Sequence, residues 1–169
     1  MSQKNDALDS VTDDGFNLWR SLNHTTYLIF RLRKRELAQY GLTPEQTYIL
    51  DILNLNSGTT TINAIAEKTA RQHHSISTQL ERMDKRRLVK RIRSLDDQRK
   101  YEIVITGEGL KLFRRVSRES VRMVLSALSE GEKRELHSSL RKLRTRVDAL
   151  TREEPGHKVR ELDHEELTV

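Results

Sequence analysis

Hydrophobic residues change their spacing partway along this chain, and the change limits the folds available to it. From Phe16 onward they recur every three or four positions, which is typical of amphipathic helices. Between Val89 and Ile105 they alternate with polar residues instead, on either side of the charged run 95–100. Alternation of this kind predicts two strands joined as a β-hairpin. The predicted fold class is therefore mainly α with a small β-hairpin wing.

Capping signals divide the helical parts into separate helices. Gly41 ends a long first helix, and Thr43 to Gln46 form a capping box with Pro44 at the first helical position. A short helix begins at Ile62, and the next helix covers 73–86. We call 73–86 the reader helix. Its predicted inner face carries Ile76, Leu80 and Met83, and its predicted outer face carries Gln72, His73, Ser75, Thr78, Gln79 and Arg82.

After the hairpin the spacing predicts one helix from about 107 to 128 and then a last helix. Ser129 and Glu132 form a second capping box at the start of that last helix. Its apolar residues follow a heptad spacing that predicts a partner helix: Leu136, Leu140, Leu143, Val147 and Leu150.

Positive charge is concentrated in one stretch of the chain. Residues 71–101 carry ten basic and four acidic residues, so they account for the whole net charge of +6. A localised positive field of this kind indicates a nucleic-acid surface. The alternative is a solvated helix face, which usually mixes both signs.

A helix, a reader helix and a hairpin in this order suit duplex DNA. The major groove accepts one helix, and an adjacent wing can place a cation in the flanking minor groove. Short polar side chains on the reader helix suit base edges, and the wing cations suit phosphates, with Arg99 suited to the minor groove. The candidate DNA-binding residues are Gln72, His73, His74, Ser75, Ser77, Thr78, Arg82, Arg91, Arg93, Arg99 and Lys100.

Several segments in combination resemble the MarR family of bacterial and archaeal transcription regulators. They are residues 72–83, Leu88-Val89-Lys90-Arg91, Asp97-Gln98-Arg99-Lys100 and Ile105-Thr106-Gly107-Glu108-Gly109, with the 41–44 and 65–67 segments. The resemblance implies a homodimer held by its terminal helices and a repressor acting on a palindromic operator. It also implies a small ligand between the dimer helices and the reading head. His24 and Tyr27 are candidates for that ligand pocket, with a place in the dimer interface or the core as the alternative.

One position departs from the family pattern. Arg87 stands where the family commonly has glycine, which adopts a left-handed conformation cheaply, whereas arginine does so at about 1 kcal/mol. Either a phosphate contact offsets this cost or the turn differs. The adjacent His73 and His74 are a second unusual feature.

The predicted organisation has four parts. Residues 1–15 and 153–169 are a flexible N-terminus and tail, 16–40 and 107–152 form a helical dimerisation region, and 43–106 form a winged helix-turn-helix domain. The chain has no cysteine and no long apolar run, and its N-terminus does not resemble a signal peptide, so a cytoplasmic location is expected. The sequence predicts no metal, no cofactor and no enzyme activity. The alternatives are a helical scaffold for an acidic partner and a protein that coats DNA without sequence preference.

Overall fold

The computed structural model describes residues 14–93 and 101–153. The chain forms two compact units, residues 1–124 and 125–169. Over the described residues the first unit contains these elements: α1 (Asp14–Ala38), α2 (Pro44–Leu55), β1 (Thr59–Thr61), α3 (Ile62–Thr69), α4 (His73–Lys85), β2 (Val89–Arg93), β3 (Tyr101–Ile105), α5 (Gly107–Arg115) and α6 (Glu119–Leu125). The described part of the second unit contains α7 (Glu130–Glu153). No helix in the described ranges is both long enough and apolar enough to cross a membrane.

The predicted helix ends are confirmed where capping residues mark them. The Thr43 side chain accepts a hydrogen bond from the backbone of Gln46, and the Gln46 side chain accepts one from the backbone of Thr43. Gly41 follows α1 with a φ of +61°, a left-handed conformation that glycine adopts readily. Ser129 and Glu132 make the second capping box at the start of α7.

The wing contains one strand more than the sequence indicates. β1 pairs antiparallel with β3, and β3 pairs antiparallel with β2, so the strand order is β1-β3-β2. The predicted hairpin strands are confirmed, but β3 is an inner strand rather than an edge. Ile103 at its centre lies opposite both Thr60 and Arg91 and is buried.

One hydrophobic core in the first unit holds the three helices of the reading head against this sheet. The fully buried large side chains come from α1, α2, α3, α4, β2 and β3: Leu37, Ile49, Leu50, Leu53, Ile65, Ile76, Met83, Val89 and Ile103. The inner residues predicted for the reader helix, Ile76, Leu80 and Met83, are all buried on α4. The core therefore fixes which face of α4 remains accessible.

The prediction of one helix from 107 to 128 is wrong, because the chain leaves the helical conformation between α5 and α6. The end of α1 holds this break. Glu36 accepts hydrogen bonds from the backbone N–H of Ser120 at 3.2 Å and from the Ser120 hydroxyl. Arg33 donates to Glu36 and to the Ser117 carbonyl, and the Tyr40 hydroxyl accepts from the Ser117 N–H at 3.2 Å. These partners lie more than 70 residues away in sequence, so the local apolar spacing does not reveal the break.

Burial by itself raises the pKa of Glu36, but this effect is outweighed. Hydrogen bonds from Ser120, Ser117 and Arg33 stabilise the carboxylate and bring the pKa of Glu36 to about 2. Because folding lowers this pKa, the carboxylate stabilises the folded state at pH values above 4.5, which is the ordinary pKa of the group. That contribution is lost as the pH falls from 4.5 toward 2.

We expect Glu36→Gln to reduce the free energy of unfolding at pH 7 by about 2 kcal/mol, because hydrogen bonds to a charged group are lost. The difference between the variant and the natural chain should shrink as the pH falls through 4.5. Urea denaturation at a series of pH values measures both quantities. A difference that stays constant down to pH 2.5 would contradict the role given to the ionised carboxylate.

Candidate DNA-binding surface

The first two turns of α4 present a largely neutral, polar surface. Gln72, His73, His74, Thr78 and Arg82 are exposed, whereas Ser75 and Ser77 are half-buried. The hydroxyl of Thr78 donates to the His74 carbonyl at 3.1 Å, which leaves its lone pairs facing outward as acceptors. The structure thus places the predicted residues from Gln72 to Thr78 at the N-terminal end of α4, whereas Arg82 lies near its C-terminal end.

The wing supplies cations beside this helix. Lys90, Arg91 and Arg93 are exposed along β2, which directly follows α4 and its turn. The predicted contacts Arg99 and Lys100 belong to the run 94–100 and lie outside the described residues. The described part of the wing therefore contains two of its four predicted DNA-binding residues, Arg91 and Arg93.

Two basic residues of the positive stretch have structural partners instead. The Arg71 guanidinium lies 3.6 Å from the Glu45 carboxylate. Arg86 donates to the Gly41 carbonyl and, at 3.4 Å, to the Gln46 side chain, so it ties the end of α4 to the start of α2. The count of charges along the sequence thus overstates the positive surface, because sequence position alone does not show these partners.

Arg87 adopts the left-handed conformation, with a φ of +57°. The alternative that the turn differs from the glycine-containing family pattern is therefore wrong. Hydrogen bonds within the protein surround the turn: the Arg87 N–H donates to the Asp84 carbonyl at 2.7 Å, and the Thr106 hydroxyl donates to the Arg87 carbonyl at 2.5 Å. The Arg87 side chain is exposed at the base of the wing.

A cavity of about 340 Å³ lies between α1, α2 and α4. Phe30 and Tyr48 are among its aromatic walls, and Arg71 contributes positive charge. Gln79, predicted on the outer face of the reader helix, instead borders this cavity and is half-buried. Among the described residues, none donates a hydrogen bond to its buried amide oxygen. Its spacing of three from the buried Ile76 was the sequence signal for this inward position.

His24 and Tyr27 do not border this cavity. Both are exposed on α1, where Tyr27 lies beneath the Arg31 guanidinium at 5.7 Å from the ring centroid. The prediction placed them at a cleft between two subunits, so for this single chain it stays a prediction.

These elements define a winged helix-turn-helix, the class in which one helix enters the major groove and a hairpin lies beside it. Residues 40–100 match the family model described as MarR family. No curated protein sequence matches the chain. Many solved structures share the fold of this chain.

Three of those structures illustrate the similarity. The organohalide-sensing regulator RdhR-CbdbA1625, bound to 2,4-dichlorophenol, is 25% identical with a TM-score of 0.76, covering 89% of this chain and 90% of its own. AbsC from Streptomyces coelicolor, a MarR family transcriptional regulator, is 25% identical with a TM-score of 0.74, covering 82% and 97%. MepR from S. aureus, in complex with DNA, is 26% identical with a TM-score of 0.66, covering 78% and 96%.

Residues 40–100 of this chain therefore match the MarR family, and the fold of the chain is that of the MarR-family transcriptional regulators. The resemblance inferred from the sequence motifs is confirmed.

Proposed function

We propose that the chain is a homodimeric repressor that reads a palindromic DNA operator in a bacterial or archaeal cytoplasm. The observation that carries this proposal is the polar, accessible start of α4 beside a basic strand, on a core that fixes both. A neutral polar helix suits base reading, whereas clustered cations suit phosphate contacts. The structure of the similar MepR bound to DNA supports the same use of this fold.

The dimer proposal is supported by the apolar faces of the terminal helices, each taken by itself. On α1, Phe16, Trp19 and Leu22 are between 41 and 55% exposed. On α7, the five residues of the heptad series are between 42 and 59% exposed. Apolar surface in continuous stripes of this kind marks an interaction site. Two subunits related by a dyad would place two reader helices about 10 bp apart.

Selection from a pool of random duplexes tests the DNA-binding proposal. We expect one palindromic sequence to be enriched. The logarithm of its affinity should fall with the logarithm of the salt concentration, with a slope of about −0.9 for each phosphate neutralised.

Ser75→Ala and Thr78→Ala should change the preference among sequences, whereas Arg99→Ala should weaken binding to specific and random duplexes alike. Equal affinity for every duplex would indicate a DNA-coating protein, and affinity independent of salt would favour the scaffold.

We also propose that a small aromatic ligand binds in the cavity between α1, α2 and α4 and modulates DNA binding. The volume is in the range of small-molecule sites, and the walls include Ile76 and Gln79 of α4 itself. A ligand that moves these residues would change the position of the reader helix. The 2,4-dichlorophenol in the similar RdhR-CbdbA1625 indicates the class of compound.

Calorimetric titration with 2,4-dichlorophenol as the probe tests this site. We expect the phenol hydroxyl to donate to the Gln79 amide oxygen, so Gln79→Leu should weaken binding about tenfold, the value of one buried hydrogen bond. Gln39→Leu, which changes an exposed glutamine outside the cavity, is the matched control. Equal binding by both variants would place the ligand elsewhere.

A further inference from the structure

The register of the sheet assigns the side chains of β2 to two different faces. Val89 lies opposite Ile105, Arg91 opposite Ile103, and Arg93 opposite Tyr101. Side chains directly opposite one another lie on the same face, and successive residues alternate between faces. Ile103 and Val89 are each 1% exposed, so their face packs on the core. Arg91 shares this core-side face, and its neighbour Lys90 lies on the opposite face.

The Arg91 guanidinium has defined neighbours on that face. It lies over the Tyr101 ring, with 4.1 Å between its Cζ atom and the ring centroid. Arg91 also lines a cleft of about 70 Å³ whose other walls include Ser77, Glu81 and Asp84 of α4. The cation is therefore placed between an aromatic ring of the wing and the acidic flank of the reader helix.

Both kinds of neighbour attract a guanidinium. The face of an aromatic ring is negative, and two carboxylates line the same cleft. The planar guanidinium can stack on the ring and still donate hydrogen bonds from its edge. Arg91 thus lies in the cleft where the wing strands β2 and β3 face α4, the two parts that must engage DNA together.

We propose that Arg91 is a positioning residue that fixes the wing relative to the reader helix, instead of the phosphate contact predicted from the sequence. The proposal rests on the proposed DNA-binding function. A wing held at a fixed angle meets DNA at the same time as α4, so ordering it beforehand lowers the cost of binding. The gain in affinity is largest for the specific duplex, because only on that duplex do the wing and α4 bind at the same time.

The decisive variant is Tyr101→Leu, which keeps every charge but removes the ring beneath Arg91. We expect it to weaken binding to the selected duplex by about 2- to 5-fold for each subunit, the value of a cation–π contact. The salt slope should stay unchanged, because no phosphate contact is lost. Tyr101→Phe keeps the ring and should bind as the natural chain does.

Arg91→Gln completes the test, with Lys90→Gln as the matched removal of one charge from the opposite face. If Arg91 and Tyr101 act together, the double variant with Arg91→Gln and Tyr101→Leu should bind DNA no more weakly than Arg91→Gln alone. Lys90→Gln accounts for the general loss of positive field. It should weaken the selected and a scrambled duplex equally, whereas Arg91→Gln should weaken the selected duplex more.

Other outcomes would overturn the proposal. If Arg91→Gln lowers the salt slope by about 0.9 per subunit while Tyr101→Leu has no effect, Arg91 is a direct phosphate contact. Absence of DNA binding by the natural chain would contradict the proposed function itself, which is a distinct result. Arg91 and Tyr101 are both more than a third exposed, so the variants should keep the natural urea midpoint. A lowered midpoint for Tyr101→Leu but not for Tyr101→Phe would make the ring a folding determinant and overturn the positioning role.

Discussion

Gly109→Ala is expected to destabilise the fold by about 3 kcal/mol or more. A Cβ atom at this position would lie 2.0 Å from the Leu88 carbonyl oxygen and 2.9 Å from its carbon. Both are backbone atoms, and the Leu88 oxygen also accepts hydrogen bonds from the backbone N–H and the hydroxyl of Thr106. Accommodating the methyl group therefore requires α5 to move away from the start of β2.

Urea denaturation followed by circular dichroism measures this loss, as a lower midpoint with an unchanged slope. The helix propensity of alanine favours the variant by about 1 kcal/mol, so the expected loss is net of that gain. Gly107→Ala, two residues earlier on the same helix, is the matched control, because a Cβ there has no neighbour within 4 Å. Equal midpoints for the two variants would show that α5 shifts at no cost.

Leu143→Glu is expected to convert the proposed dimer to a monomer and to lower operator affinity by about 100-fold or more. Leu143 is 53% exposed at the centre of the α7 heptad series, so the fold of the single chain loses little. A buried carboxylate in a helix–helix seam is strongly unfavourable. Two linked reading heads bind 10²- to 10⁴-fold more tightly than one, and a monomer loses that factor.

Sedimentation at micromolar protein and operator binding at fixed salt measure the two effects. Thr145→Glu adds the same charge to α7 outside the heptad series, where the residue is exposed, and should leave both quantities unchanged. A Leu143→Glu chain that sediments as a dimer would contradict the proposed interface. A monomer that still binds the operator at full affinity would instead contradict the need for two reading heads.

The sequence predicted those elements whose signals are local. Thr43, Gln46 and Gly41 mark helix ends through their own backbone and nearest neighbours, so α1 and α2 follow from the sequence directly. The buried residues of α4 follow from helical spacing in the same way. The domain boundaries and the individual DNA contacts remain predictions.

The elements that the sequence missed depend on distant partners. β1 has only three threonines, and its pairing with β3 joins residues more than 40 positions apart. The break after α5 depends on Glu36 and Arg33 of α1. No local pattern carries these contacts, because each requires the fold to exist first.

The third strand also bears on how this protein avoids joining with other copies through its sheet. An open sheet edge can add a strand from another molecule, and natural proteins counter this with short edge strands and charged side chains. Here β3 is paired with a strand along both of its edges, and one outer strand, β1, has only three residues. The other, β2, carries Lys90, Arg91 and Arg93. Like charges would face each other if two such edges met, so the basic strand favours a dispersed protein over a fibrous aggregate.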